Sequence, residues 1–130
     1  EAERAVRGRV PWRGIAGYSL GGLFALYALC RSDCFARAAS MSGSLWFPNF
    51  SAYIQAHGMQ NHPSHVYFSL GSKESKARNR YLRTVRQNTE AIEAFYRSQG
   101  VDTALAIHPG GHNQDVPARI AAGLAWLLQR

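Results

Sequence analysis

The chain has 130 residues, a formal net charge of +7 and 46% hydrophobic residues, enough apolar material for one folded domain around one core. No apolar run approaches the ~20 residues of a membrane span, and residues 1–11 are polar and charged, so neither a spanning helix nor a secretory leader is expected. The charge gathers in Arg4, Arg7, Arg9 and Arg13 and again in Lys73, Lys76, Arg78, Arg80, Arg83 and Arg86. No nucleic-acid motif accompanies it, so nucleic acid is not the expected partner, and an anionic small molecule or plain solubility accounts for it as well.

Residues 1–10 read as the end of a polar helix and a connector, closed by Pro11. Residues 13–18 read as a buried strand and residues 20–31 as a buried helix, with Ser32-Asp33 as turn formers. Between strand and helix lies Gly17-Tyr18-Ser19-Leu20-Gly21, a G-x-S-x-G in the strand-turn-helix setting that makes the pattern meaningful. Such a turn lifts a serine hydroxyl clear of the sheet and crowds strand against helix. Glycines at 17 and 21 are expected to relieve that crowding. The helix start aims its amides at the site, which places the Leu20 N–H to bind an oxyanion. An ordinary glycine-rich turn is the competing explanation. Cys30 and Cys34 have neither C-x-x-C nor metal spacing and read as reduced structural thiols, as suits a cytoplasmic protein.

Residues 36–42 read as a second strand whose small side chains let a helix approach. The aromatic loop Leu45-Trp46-Phe47-Pro48 and a short helix over 50–57 follow. Residues 65–70 are the clearest strand, rich in β-branched and aromatic residues. A charged loop over 72–79 leads to a long amphipathic helix over 80–98, apolar at Leu82, Val85, Ala91, Ile92 and Phe95, and stopped by Gly100. Residues 101–107 read as the fourth strand. Pro109-Gly110-Gly111 ends it, His112 follows, and Asp115 is a credible N-cap for a last helix apolar at Ile120, Leu124, Leu127 and Leu128.

Four strands alternating with helices predict an α/β fold: a parallel sheet of about four strands with helices on both faces, in a single domain over residues 1–130. Sites in such sheets collect at the C-terminal ends of the strands, where Ser19, Ser44, Glu74 and His112 all fall. His112 is the candidate base for Ser19, since an imidazole can take the serine proton and return it to a leaving alcohol, and its flanking glycines let the loop close over the serine. Glu74 is the candidate acid to orient it. The order serine, acid, histidine is that of α/β-hydrolases. Asp115 is an alternative acid, better explained as a helix cap, and Asp102 begins a strand at the wrong end of the sheet. Trp46 and Phe47 offer an apolar wall for an acyl or aromatic group, and Lys73, with its basic neighbours, an attraction for an anionic substrate. The histidines and acids lack metal-ligand spacing, so no metal or cofactor is expected.

The stretches Gly-Tyr-Ser-Leu-Gly-Gly-Leu-Phe-Ala-Leu-Tyr-Ala-Leu (17–29), Ser-Gly-Ser-Leu-Trp-Phe (42–47), Ser-Leu-Gly-Ser-Lys-Glu (69–74) and Pro-Gly-Gly-His-Asn-Gln-Asp (109–115) together resemble the Putative esterase family of α/β-hydrolases. That family includes enterochelin esterases, trilactone hydrolases and S-formylglutathione hydrolase. The resemblance implies a serine esterase acting through an acyl-enzyme, with Ser19 as nucleophile, Glu74 as acid and His112 as base, and a siderophore-type lactone as one substrate. Some relatives work with a serine–histidine pair, without the acid. Family members carry a further N-terminal half that donates a second oxyanion N–H, so the resemblance covers the C-terminal half of the fold. It implies that the strand at 13–18 is an open edge, where a homodimer or partner chain can pair. A non-catalytic assembly module derived from a hydrolase is the alternative.

Overall fold

The computed structural model describes residues 6–60 and 62–130. Residues 6–10 carry no helix, as a connector does not, while residues 1–5, with Arg4 and the helix end expected there, lie outside the described residues, as does Asn61 of the later connector. Strand β1 (Gly14–Tyr18) runs into helix α1 (Leu20–Arg31). Strand β2 (Arg37–Met41), helix α2 (Phe50–His57) and strand β3 (His65–Gly71) follow. A 3-10 turn at Leu82–Thr84 leads into helix α3 (Val85–Ser98), then strand β4 (Asp102–His108) and helix α4 (Val116–Leu128). The four strands form one sheet in the order β1-β2-β3-β4, and every neighbouring pair is parallel.

Helices cover both faces, as parallel strands require. The period of two along each strand divides the core. Ala38, Val66 and Phe68 face a cluster with Leu26, Leu29, Ile54, Ile92 and Tyr96, supplied by α1, α2 and α3. Ala39, Met41 and Tyr67 face the opposite way, against Leu127 of α4. β2 is therefore buried along its whole length. Its first residue, Arg37, turns its guanidinium to the carbonyls of Leu127 and Arg130 at the end of α4, where a cation satisfies unpaired carbonyls and complements the helix dipole. Cys30 and Cys34 are both free; burial pushes the Cys30 thiol up to about 11, so it is protonated and inert at neutral pH. Among the described residues no helix is long and apolar enough to cross a membrane.

Three sequence expectations are corrected by packing. The α-helix expected from residue 80 begins at Val85, because Asn79 Oδ1 accepts the N–H groups of Tyr81 and Leu82 and holds the chain in a turn. Its buried stripe is Val85, Thr89, Ile92 and Tyr96, while Ala91 faces solvent. Thr89 is accommodated inside because its hydroxyl donates to the Val85 carbonyl at 2.7 Å. On α4, Leu124 and Leu128 are exposed, and the inward positions are Arg119, Gly123 and Leu127.

Candidate active site

Ser19 sits where β1 becomes α1, with φ 60° and ψ −121°. A non-glycine residue there stores on the order of 1–3 kcal/mol of strain. The turn is held by the Ser19 N–H donating to the Met41 carbonyl at 3.0 Å, and by the Ser19 carbonyl accepting from the Ser44 N–H at 2.9 Å. The crowding is real, but the glycines that answer it are 17 and 22. A Cβ on Gly17 would lie 2.1 Å from the Gly21 carbonyl oxygen, and one on Gly22 would lie 2.8 Å from the Gly43 Cα. A Cβ on Gly21 itself would meet open space. Leu20 is the first residue of α1, so its N–H has no intrahelical acceptor.

The loop after β4 brings His112 over the serine. Gly110, at φ 100°, makes the bend, and the Tyr18 hydroxyl donates to the His112 carbonyl. His112 Nε2 lies 2.9 Å from Ser19 Oγ, and His112 Nδ1 lies 2.7 Å from Glu74 Oε1. Three residues from three loops, 93 positions apart at the widest, thus form one continuous relay. Burial raises the Glu74 carboxyl, but hydrogen bonds from Ser42, the Gly71 N–H, His112 and Arg119 together outweigh it and hold the group below its ordinary 4.5. An ionised carboxylate only accepts, so the proton between them belongs to Nδ1, and in the neutral ring Nε2 is left to accept from the serine.

The second carboxylate oxygen has a socket of its own. Glu74 Oε2 accepts from Ser42 Oγ at 2.7 Å, from the Gly71 N–H at 2.6 Å and from Arg119 Nη2 at 2.9 Å. Arg119 is 1% exposed. Its guanidinium also reaches Ser42 Oγ, and donates to the carbonyls of Gly111 at 2.8 Å and Gln114 at 3.1 Å, on either side of His112. One buried cation therefore ties the acid to the loop that carries the histidine. Sequence reading assigned Arg119 and Ser42 no part. The available signal was that Arg119 is the one charged residue in the otherwise apolar α4.

Ser19, Glu74 and His112 share a cleft of about 240 Å³ with Gly43, Ser44, Trp46, Leu82 and Val85. Ser44 and Trp46 are thus where the rim placed them. Lys73 is exposed and is not among the lining residues. Asp115 precedes α4 but makes no capping hydrogen bond through its side chain; it stands at φ 53°, outside the relay. Asp102, at the far end of β4, lies 3.5 Å from His65 Nε2. Among the described residues no group of three or more histidine, cysteine, aspartate or glutamate side chains could hold a metal ion.

A parallel sheet with a serine on a strained strand-to-helix turn at its C-terminal rim defines an α/β-hydrolase-like domain. The sequence profile of the family described as Putative esterase matches residues 1–116, and the chain belongs to that family. It is 26% identical over 121 residues to the uncharacterized protein YbbA of Bacillus subtilis (strain 168), covering 88% of this chain and 48% of that one. Its fold is similar to that of the enterobactin esterase FES from Shigella flexneri (TM-score 0.71, 23% identity, 89% of this chain and 31% of that chain). It is also similar to an IroE-like serine hydrolase from Shewanella oneidensis (TM-score 0.69, 17% identity, 89% and 40%). The chain spans less than half the length of each of these relatives.

Proposed function

We propose that the chain is a serine esterase whose reacting groups are Ser19, His112 and Glu74. The carrying observation is the unbroken relay from Ser19 Oγ through His112 to Glu74, at 2.9 and 2.7 Å. Ser19 Oγ attacks the ester carbonyl as its proton passes to His112 Nε2. The Leu20 N–H stabilises the oxyanion of the tetrahedral intermediate, which collapses as His112 protonates the departing alcohol. Water, deprotonated by the same imidazole, then attacks the acyl-enzyme and releases the acid. Glu74 holds the tautomer and stabilises the imidazolium without taking the proton. The relay needs no cofactor. Family membership supports hydrolysis of esters in general.

A siderophore-type lactone is the narrower substrate we infer from the likeness to the Shigella enterobactin esterase and from the basic loop of Lys73 and Lys76. The test of the mechanism is turnover of p-nitrophenyl acetate and labelling by a fluorophosphonate probe, each with wild type and Ser19→Ala. Both should vanish in the variant; equal turnover would remove Ser19 from the chemistry. A cyclic trilactone, compared with its ring-opened ester, tests the narrower substrate.

One observation favours a second reading, a non-catalytic assembly module. Among the described residues β1 pairs with β2 alone, so its outer edge is open to a second copy or another chain. An unlabelled dimer by light scattering would favour that reading, and a monomer that labels rapidly would dispose of it.

A further inference from the structure

Beside the catalytic cleft runs a second, larger depression of about 670 Å³ between α1, the aromatic loop and the start of α2. Leu20, Leu23, Phe24, Tyr27, Phe47 and Tyr53 are among its walls. Leu20 is 66% exposed and Phe24 is 60% exposed. Water-facing apolar surface gathered in one concavity marks a place where something binds. No charged side chain lines it, although the chain as a whole is strongly basic. The groove therefore favours an uncharged, largely apolar occupant and offers no cation to a carboxylate or phosphate.

Its position says which occupant. The groove begins at Leu20, the residue after Ser19. In the esterase reading the Leu20 N–H serves the reacting carbonyl, and the Leu20 side chain lines the groove. At the other wall, Trp46 lines the catalytic cleft and Phe47 lines the groove, with ring centroids 6.4 Å apart. An ester carbonyl held between Ser19 Oγ and the Leu20 N–H thus has its acyl substituent beside the groove mouth. We propose that this groove is an acyl subsite, and that beyond any lactone the site accepts esters whose acid portion carries a neutral alkyl chain of about eight carbons or an aryl group of similar reach. The inference rests on the esterase reading and adds to it the substrate's acyl group.

The test compares p-nitrophenyl octanoate with p-nitrophenyl acetate on wild type and on Phe24→Asp, which puts a carboxylate on the groove wall at an exposed position. A chain half-buried in an open groove gains about twofold per methylene, so wild type should favour octanoate by on the order of 50-fold in kcat/KM. That preference should fall at least about tenfold in Phe24→Asp. Because the readout is a ratio within one preparation, partial loss of folded protein does not move it. If both esters are hydrolysed with a ratio near one, or the ratio ignores Phe24→Asp, the acyl subsite is refuted while the esterase reading stands. If neither ester turns over and the fluorophosphonate does not label, the esterase reading fails. The groove is then judged by amide shifts when N-methyloctanamide is added to Ser19→Ala. Shifts confined to residues 20–27 and 47–53 sustain an apolar site, and their absence overturns it. A dimer that Phe24→Asp converts to monomer also overturns the proposal, since the groove is then an interface between chains.

Discussion

Replacing Arg119 by methionine removes the guanidinium but keeps most of the apolar stem. The pair it breaks is buried: the side chains of Arg119 and Glu74 are 2% and 5% exposed, with Nη2 and Oε2 2.9 Å apart. Removing one partner of such a pair costs about 3–5 kcal/mol, since the remaining charge stays desolvated. The Gly111 and Gln114 carbonyls lose donors in the same step. Against a total of ~5–15 kcal/mol for a domain, this should lower the melting temperature by about 10–20 °C. The sign with pH is fixed by Glu74. Its folded carboxyl lies below its ordinary value of 4.5, so its contribution is complete above about pH 4.5 and is lost as pH falls through the lowered folded value. Without Arg119 that carboxyl rises, and acid unfolding should begin at higher pH. Thermal melts by circular dichroism from pH 7 down to about pH 3 read both effects. Adding Glu74→Gln to Arg119→Met should return part of the loss, because the uncompensated charge is gone. A melt within about 2 °C of wild type, or strict additivity of the two changes, would refute the buried-pair account.

Gly17→Ala should prevent the turn from forming, since its Cβ would overlap Gly21 backbone, and soluble folded yield should collapse; Gly21→Ala, which points into open space, should melt within a few degrees of wild type. A reversed ranking would show that the turn is held differently. Glu74→Gln should lower kcat for p-nitrophenyl acetate by ~10²–10⁴-fold, by withdrawing the acceptor that fixes the His112 tautomer; a loss below about threefold in steady-state kinetics would leave a serine–histidine pair as the working unit. Burial and the nearby Arg119 charge hold His108 below its ordinary value of 6.5. The native state therefore resists protonating it, so stability should begin to fall as pH drops below about 6.5, before the Glu74 phase. His108→Asn should remove that first phase from urea midpoints measured between pH 7 and pH 5.

The amino-acid order alone determined the alternation of strands and helices, the serine on a strand-to-helix turn, and the sequence of serine, acid and histidine along one rim. Those features rest on chemistry written locally: glycine where the backbone must pass close, apolar and aromatic runs that fill strands such as His65–Gly71, and loops that begin where strands end. Helix limits set by a competing side chain were not legible, as at Asn79, nor were the inward positions of α3 and α4, where Thr89 and Arg119 displaced expected apolar residues. The tertiary structure decided these because burial of a polar group depends on partners distant in the chain. Arg119 is tolerable inside only because Glu74, Ser42 and two loop carbonyls converge on it from β2, β3 and β4. The same is true of Gly22, whose missing side chain matters only because Gly43 and Ser40 arrive beside it, and of the apolar groove, which exists only where α1 meets the aromatic loop.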